Sequence, residues 1–211
     1  MSRTTVTRFK LLLTTGLTAA VVATAAGCDG GQLASDPASG EAPALPVPAA
    51  TSSSPKPQAS DYSHLLLQAE DISIPPDTFT RRSTKVNPDG QDGASALFVN
   101  ADDTRAIADT ILIYPDVATA SATLQQAVAA VNTMVEGGTP QPVPVGTGGT
   151  VISGMAPDGS KAVTLVMFTQ GRALVRLEFD SAPDDPVTEQ TVAAISRMQQ
   201  IALRIGLPER E

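Results

Sequence analysis

The chain has 211 residues and is acidic, with 14 Lys and Arg against 22 Asp and Glu, for a formal net charge of −8 at pH 7. Nucleic acid is an unfavourable partner for this composition, because contacts to phosphate need clustered basic residues. The only cysteine, Cys28, excludes an intramolecular disulfide and a cysteine-rich zinc site.

The first 27 residues have the layout of an export signal. Arg3, Arg8 and Lys10 form a basic segment, and an apolar stretch follows from Leu11 to about Thr24. A transmembrane anchor needs about 20 apolar residues, and this stretch is shorter and rich in Thr. The pattern therefore predicts a signal peptide over residues 1–27, with a soluble export signal and an uncleaved anchor as the alternatives.

The residues around Cys28, Ala25-Ala26-Gly27-Cys28, resemble a bacterial lipobox. This resemblance implies cleavage before Cys28, a diacylglycerol thioether on its sulfur and an acylated new N-terminus. Because residues 1–27 carry three basic residues and no acidic one, the mature chain would keep 11 basic and 22 acidic residues and a charge of −11. The expected location is the extracytoplasmic face of the cell membrane, with the lipid at Cys28 as the attachment.

Residues 28–60 consist mostly of Pro, Ala, Ser, Gly and Thr. Such a segment buries too little apolar surface to offset its chain entropy, so it is predicted to be a disordered tether. Its coil dimension would be about 30 Å. A single globular domain is expected over residues 61–208, followed by a short tail over 209–211.

The first half of this domain is predicted to contain a short helix and three strands. The helix starts at Ser63 and ends before Pro75-Pro76, and turn residues separate the strands. The predicted ranges are 63–70 for the helix and 79–86, 96–99 and 106–114 for the strands.

The second half begins with a helix whose N-cap is Asp116 and whose apolar residues recur at helical spacing until Gly137-Gly138. Strands follow over residues 143–151, 162–169 and 172–180, with a hairpin at Gln170-Gly171. In the last strand apolar and charged residues alternate, which predicts one buried and one solvated face. A final helix is expected to be capped by Asp185 and to end at Gly206.

The element order is β-β-β-α-β-β-β-α. Tight hairpins favour the α+β class, with an antiparallel sheet of about five to six strands and two main helices packed on one face. The repetition of three strands and a helix also allows a weak internal duplication.

No set of residues in the domain predicts catalysis. His64, the only histidine, is expected on the surface, and no serine lies in a G-x-S-x-G motif. The carboxylate pairs Asp102-Asp103 and Asp184-Asp185 fall where turns and caps are expected, and residues 89–93 lack the ligand spacing of a calcium loop. The chain is therefore predicted not to be an enzyme, with no catalytic residue, no cofactor and no metal.

Two further patterns suggest binding only weakly. The glycine-rich segment 145–150 is not followed by Lys or by a helix, so it is interpreted as a loop and not as a phosphate site. Arg81-Arg82 with Lys85, and Arg172 with Arg176, could receive an anionic partner, although solvated charges on a sheet face are expected.

The domain resembles the small sensor-type lipoproteins of actinobacteria, through Leu65-Leu66-Leu67-Gln68-Ala69-Glu70-Asp71-Ile72, the helix after Tyr114-Pro115-Asp116, and the hairpin with the terminal helix. These proteins are similar in layout to the extracellular sensor domain of a mycobacterial serine/threonine kinase, a sheet flanked by two helices with a cleft. The resemblance implies sensing of a ligand or partner and assigns no binding residue.

An enzyme that uses the carboxylates of Asp102, Asp103, Asp184 and Asp185 is disfavoured by their turn and cap positions, so two functions are weighed for this chain. The first is a non-enzymatic binding or interaction module of the cell envelope, whose partner would be an envelope protein. The alternative is a carrier that holds a lipid or other apolar ligand in a cavity between the helices and the sheet.

Overall fold

One antiparallel sheet of seven strands organises residues 60–207, which are the residues described by the computed structural model of the chain. The predicted signal peptide, Cys28, nearly all of the predicted tether and the tail lie outside the described residues. The strands are β1 (Phe79–Val86), β2 (Gly93–Asn100), β3 (Ala106–Ile113), β4 (Gln141–Pro142), β5 (Thr147–Met155), β6 (Ala162–Gln170) and β7 (Ala173–Ser181).

The sheet order is β1-β2-β3-β7-β6-β5-β4, so the last strand lies between the two halves of the chain. β7 pairs with β6 through a hairpin at Gly171-Arg172 and with β3 along residues 106–113. Each of the six long strands corresponds to a predicted strand, but β2 is longer than the predicted range 96–99 and β5 begins and ends four residues later than the predicted range 143–151. The seventh, β4, was missed because a two-residue strand containing Pro142 carries no alternating pattern.

Three α-helices accompany the sheet within residues 60–207: α1 (Ala69–Ile72), α2 (Val117–Ala129) and α3 (Glu189–Gly206). The predicted cap of α2 is confirmed, because Asp116 Oδ1 accepts a hydrogen bond from Thr119 N at 2.7 Å. The helix ends earlier than predicted, and a 3₁₀ turn over Val131–Thr133 follows it. No helix among residues 60–207 is both long and apolar enough to span a membrane.

The prediction that Asp185 caps the last helix is wrong. Thr188 is the N-cap of α3, and its Oγ1 accepts a hydrogen bond from Thr191 N at 3.3 Å. The carboxylate of Asp185 instead forms an ion pair with Arg105, 2.6 Å from Nη2. The local sequence pattern assigned Asp185 to the helix cap, but in the structure its partner is Arg105, which is distant in sequence.

The prediction that both main helices pack on one face of the sheet is also wrong. Val166 and Phe168 of β6 belong to the core cluster that contains Val192 and Ile195 of α3. The intervening residues Val163, Leu165 and Met167 belong to a second cluster, which contains Leu124 of α2. Because neighbouring residues of a strand point to opposite faces, α2 and α3 cover opposite faces of the sheet.

The segment Tyr62–Ile72, called the strap below, crosses the α3 side of the sheet. The predicted helix over residues 63–70 is wrong: a 3₁₀ turn over Ser63–Leu65 is followed by extended backbone and then by the single turn of α1. Leu65, Leu66 and Leu67 are all buried in the α3-side core. Three consecutive buried leucines do not fit one face of a helix, which explains the irregular backbone.

Candidate ligand groove

A groove of about 480 Å³ lies between the N-terminal half of α3 and the segment 139–145, with β5 and β6 as its floor. It is called the α3 groove below. Its lining residues are Thr139, Gln141, Pro142, Val143, Pro144, Val145, Val151, Ser153, Thr164, Val166, Val187, Glu189, Val192, Ala193, Ser196 and Arg197.

The floor of the α3 groove combines valines with one pair of hydroxyl groups. Strand register places Val151 opposite Val166 and Ser153 opposite Thr164, all on the face covered by α3. Ser153 Oγ and Thr164 Oγ1 lie 2.9 Å apart and are hydrogen-bonded to each other. Each hydroxyl keeps further hydrogen-bonding capacity, so the pair can contact a ligand without leaving a buried group unsatisfied.

The wall opposite α3, residues 139–145, packs closely against the glycine-rich segment of the sequence. A Cβ atom on Gly149 would lie 2.3 Å from the carbonyl oxygen of Val145 and 2.5 Å from that of Val143, so only glycine allows this approach. Gly146 has a φ of 54° and packs against Phe168. The interpretation of 145–150 as a loop is wrong from Thr147 onward, where β5 begins. Gly149 allows the backbone of residues 143–145 to pack directly against the start of β5.

Two charged side chains, Glu189 and Arg197, line the α3 side of the groove. They lie eight residues apart on one helix, which corresponds to about 12 Å along its axis. Within residues 60–207 neither side chain forms an ion pair, and the opposite wall, residues 139–145, contains no charged residue. Both charges are therefore available to a ligand that lies along the helix.

The residues considered for chemistry in the sequence lie apart from one another. His64 is exposed, and its Nδ1 lies 3.1 Å from the backbone oxygen of Asp61. Asp103 adopts a left-handed turn conformation and pairs with Arg82 at 2.9 Å, while Asp89 lies in a turn with a φ of 54°. No group of three or more His, Cys, Asp or Glu residues suited to a metal occurs in the described part of the chain.

Four of the basic residues singled out in the sequence, Arg81, Arg82, Arg172 and Arg176, have intramolecular partners. The guanidinium of Arg81 lies 5.3 Å from the ring centroid of Phe98, and Nη2 donates to the Leu67 carbonyl at 2.7 Å. Arg172 donates to the Tyr114 carbonyl at 3.5 Å, and Arg176 pairs with Glu178 at 3.1 Å. Arg81 is exposed and Arg176 is partly exposed, as expected for charges on a sheet face, and both also have intramolecular partners.

The charged side chains of β7 form a partly buried ion network on the α2 side. Lys161, which sequence reasoning did not single out, pairs with Asp180 and lies 3.8 Å from Glu178 Oε1. Burial raises the pKa of Asp180, and the neighbouring Glu178 raises it further, while Lys161 acts in the opposite direction. The face of β7 that was predicted to be solvated is therefore only partly exposed, and its charged side chains are stabilised by ion pairs.

Asp109, also not singled out in the sequence, is fully buried on β3. Its Oδ2 accepts a hydrogen bond from the backbone N of Leu67 at 3.1 Å, and burial raises its pKa to about 7. The sequence contains a sign of this burial, because Asp109 lies two residues from both Ile107 and Ile111 on β3 and therefore shares their buried face. A carboxylate at a core position of a strand is rare, so this position marks Asp109 as a residue with a specific buried partner.

Neither a protein-family model nor a curated protein sequence matches the chain. Among solved structures, the extracellular domain of PknH from Mycobacterium tuberculosis has a similar fold, with a TM-score of 0.50 and 7% sequence identity. The match covers 70% of this chain and all of that domain. The predicted resemblance to the extracellular domain of a mycobacterial kinase is therefore confirmed for the fold.

Proposed function

We propose that this protein is a non-enzymatic binding module of the cell envelope that presents the α3 groove to a ligand on the extracytoplasmic side of the membrane. The groove is the observation that carries the proposal. Its volume of about 480 Å³ is within the range of small-molecule sites, and such sites combine mostly apolar walls with a few oriented polar groups. The signal-like N-terminus and the fold shared with an extracellular domain support the location.

The polar groups of the groove suit recognition better than catalysis. The hydroxyls of Ser153 and Thr164 are hydrogen-bonded to each other, and that of Ser196 donates to the Val192 carbonyl, so none of these three is bonded to a general base. Glu189 and Arg197 are separated by about two helical turns. Charges at this spacing can orient a ligand by its ends. A ligand with an apolar body and an anionic group would place the body over Val151 and Val166 and the anionic group at Arg197.

Attachment to the membrane through Cys28 belongs to the same proposal. One acyl chain gives marginal attachment, so persistent anchoring requires at least two chains. Intact mass spectrometry of the protein extracted from a bacterial envelope tests this. The expected mass is that of a chain that begins at Cys28 and carries two or more acyl chains, whereas Cys28→Ser lacks the acyl mass. An unmodified wild-type chain in the membrane fraction contradicts the lipid anchor.

A carrier of a lipid or other apolar ligand is the second candidate. The observation that favours it is the valine floor, which is continuous with the core on that side of the sheet through Val145 and Val166. An acyl chain placed there would remove its own apolar surface and that of the floor from water, which is favourable by about 25 cal/mol per Å².

A photo-crosslinking experiment distinguishes the two candidates. A benzoylphenylalanine residue is placed at Gln141, on the wall of the groove, and in a control protein at Gln126, an exposed position of α2 outside it. After irradiation in an envelope-containing host, a protein adduct specific to position 141 supports the interaction module, and an adduct of small apolar mass supports the carrier. Equal adducts at both positions, or none, contradict the groove as the binding site.

A further inference from the structure

The strap is attached to the domain by three hydrogen bonds between its backbone and side chains of β1, β3 and α3. Asp109 Oδ2 accepts from Leu67 N at 3.1 Å, and Arg81 Nη2 donates to Leu67 O at 2.7 Å. Gln199 Nε2 of α3 donates to Leu65 O at 3.0 Å. Because the strap is not a strand of the sheet, these side chains supply partners that a β-ladder would otherwise provide.

Asp109 is held in a place that disfavours its ionised form. Its side chain is inaccessible to solvent, its Oδ1 has no hydrogen-bond partner among residues 60–207, and its neighbours in the β-ladder are Ala96 and Leu177. Water cannot reach the carboxyl while the strap is in place. An ionised carboxylate here would therefore remain poorly solvated, with one oxygen unsatisfied.

Burial is the largest effect on the pKa of Asp109 and raises it, while the hydrogen bond from Leu67 N and the charge of Arg81 favour the ionised form and offset burial only in part. Arg81 is the charged group that acts on Asp109. Apart from Tyr62, a buried phenol of the strap, the other charged or titratable side chains on the surrounding elements are either exposed or on the opposite face of the sheet. His64, Glu70 and Asp71 of the strap, Arg82 and Lys85 of β1, and Glu189, Arg197 and Arg204 of α3 are exposed, while Arg176, Glu178 and Asp180 of β7 face the α2 side.

We propose that the strap is a proton-controlled latch, held closed while Asp109 is neutral and loosened when Asp109 ionises. Opening of the strap lets water reach the carboxyl, so the open form has a carboxyl of ordinary acidity and the closed form does not. Ionisation and opening are then linked, and each favours the other. The latch does not depend on which ligand occupies the α3 groove.

The direction of the pH dependence follows from the pKa of Asp109. That pKa is about 7 in the closed form and near the ordinary value of 3.8 once the carboxyl is hydrated. Below about pH 4 both forms are protonated and the latch is tightest. Between about pH 4 and 7 the opening equilibrium rises by up to tenfold per pH unit, and above pH 7 it levels off.

The strap lies between the predicted tether and the rest of the domain, so its opening affects both the tether connection and α3. The strap is the first part of the domain after residue 60, where the predicted tether ends. It also bonds to Gln199 of α3, the helix whose N-terminal half forms one side of the α3 groove. Loosening of the strap therefore changes how the domain connects to its tether and frees one contact of the groove helix.

Hydrogen exchange of the full chain tests the proposal. Exchange of a peptide that covers Leu65–Ile72 is measured from pH 4.5 to 8, and the rates are corrected for the intrinsic pH dependence of amide exchange. The opening equilibrium should rise by roughly 50-fold between pH 5 and pH 7 and stay constant above pH 7.5. A wild-type strap whose corrected exchange does not change with pH overturns the latch.

Two variants and a matched control identify the responsible group. Asp109→Asn keeps an acceptor for Leu67 N but cannot ionise, so its strap exchange should be independent of pH. Asp185→Asn, at an exposed aspartate, should behave as the wild type does. Gln199→Met removes the Leu65 contact without a titrating group and should loosen the strap at every pH while the dependence on pH remains. Persistence of the wild-type pH profile in Asp109→Asn refutes the assignment to Asp109.

Discussion

The two faces of the sheet differ in how completely they are covered. On one face α3 and the strap bury a core that reaches from β1 to β6, with Phe98, Phe168 and Phe179 essentially inaccessible to solvent. On the other face α2 packs against β5, β6 and β7, and residues of β2 and β3 such as Leu97 and Leu112 remain half-buried.

This difference explains where the charges of β7 lie. Arg176, Glu178 and Asp180 lie on the partly covered face, where they can pair with one another and with Lys161. Their neighbours Val175, Leu177 and Phe179 point to the fully covered face. One strand therefore serves a dry core on one side and a partly hydrated ion network on the other.

The largest expected effect comes from a matched pair of substitutions in β7. Leu177→Ala removes a side chain with no exposure from the α3 side and should lower the free energy of unfolding by about 3–5 kcal/mol. Leu174→Ala, on the α2 side with 5% exposure, should cost less, about 2–3 kcal/mol, because the partly covered face can relax. Urea denaturation measures the free energy of unfolding of both variants. Equal decreases would contradict the claim that the α3 side is more completely packed than the α2 side.

The next effect is the pH dependence of stability that arises from Asp109 on the covered face. Because the folded-state pKa is raised to about 7, the folded protein binds this proton more tightly than the unfolded chain does. The contribution of this group is therefore most favourable below about pH 4 and is lost as the pH rises to 7, by up to about 4 kcal/mol.

Urea denaturation of wild type and Asp109→Asn at pH 5 and pH 7.5 isolates this contribution. The wild type should lose more stability than the variant over this interval. Asp185→Asn serves as the control, since its carboxylate is exposed. An equal loss in wild type and Asp109→Asn would show that the buried carboxyl does not set the pH dependence.

On the partly covered face, Lys161→Met should lower stability at pH 7 by about 1–3 kcal/mol, because Asp180 and Glu178 would keep their buried charge without this cation. The loss should shrink as the pH falls and Asp180 becomes neutral, a change favoured by its raised pKa. A denaturation series over pH 5–8 measures this. The double variant Lys161→Met with Asp180→Asn should recover part of the stability, and a further loss would argue against pairing.

The smallest effect concerns the start of α3. Thr188→Ala removes the N-cap and should cost about 0.5–1 kcal/mol, whereas Asp185→Ala removes only an ion pair with an exposed carboxylate and should cost less than about 0.5 kcal/mol. Thermal unfolding of both variants gives the order. A larger loss for Asp185→Ala would indicate that the Arg105 pair, and not the cap, positions the helix.

Local patterns predicted most of the secondary structure. Apolar segments bounded by turn residues located the long strands, and alternation identified the two faces of β7. Asp116 and the apolar spacing located α2, and Gln170-Gly171 located the β6–β7 hairpin to within one residue. These signals depend on contacts between residues close in sequence, so they could be recognised without the fold. The layout also supported the likeness to an extracellular kinase domain.

The candidate sites could be predicted much less well, because each joins residues that are distant in sequence. The strap contact between Leu67 and Asp109 spans 42 residues, and that between Leu65 and Gln199 spans 134. The α3 groove combines the wall at Val143 with Arg197 of the last helix. The position of Asp109 on the buried face of β3 was the one feature of the local sequence that pointed to the contact with the strap.

The sequence by itself determined the acidic charge, the signal-like N-terminus with Cys28, the positions of the long strands and the type of most elements, because these follow from composition and short-range periodicity. Only the tertiary structure decided that β7 lies between β3 and β6 and that the two main helices cover opposite faces. The physical reason is that β6 has apolar residues on both of its faces, so both faces must be buried. Which helix covers which face depends on strand order, and strand order is set by pairings between distant residues.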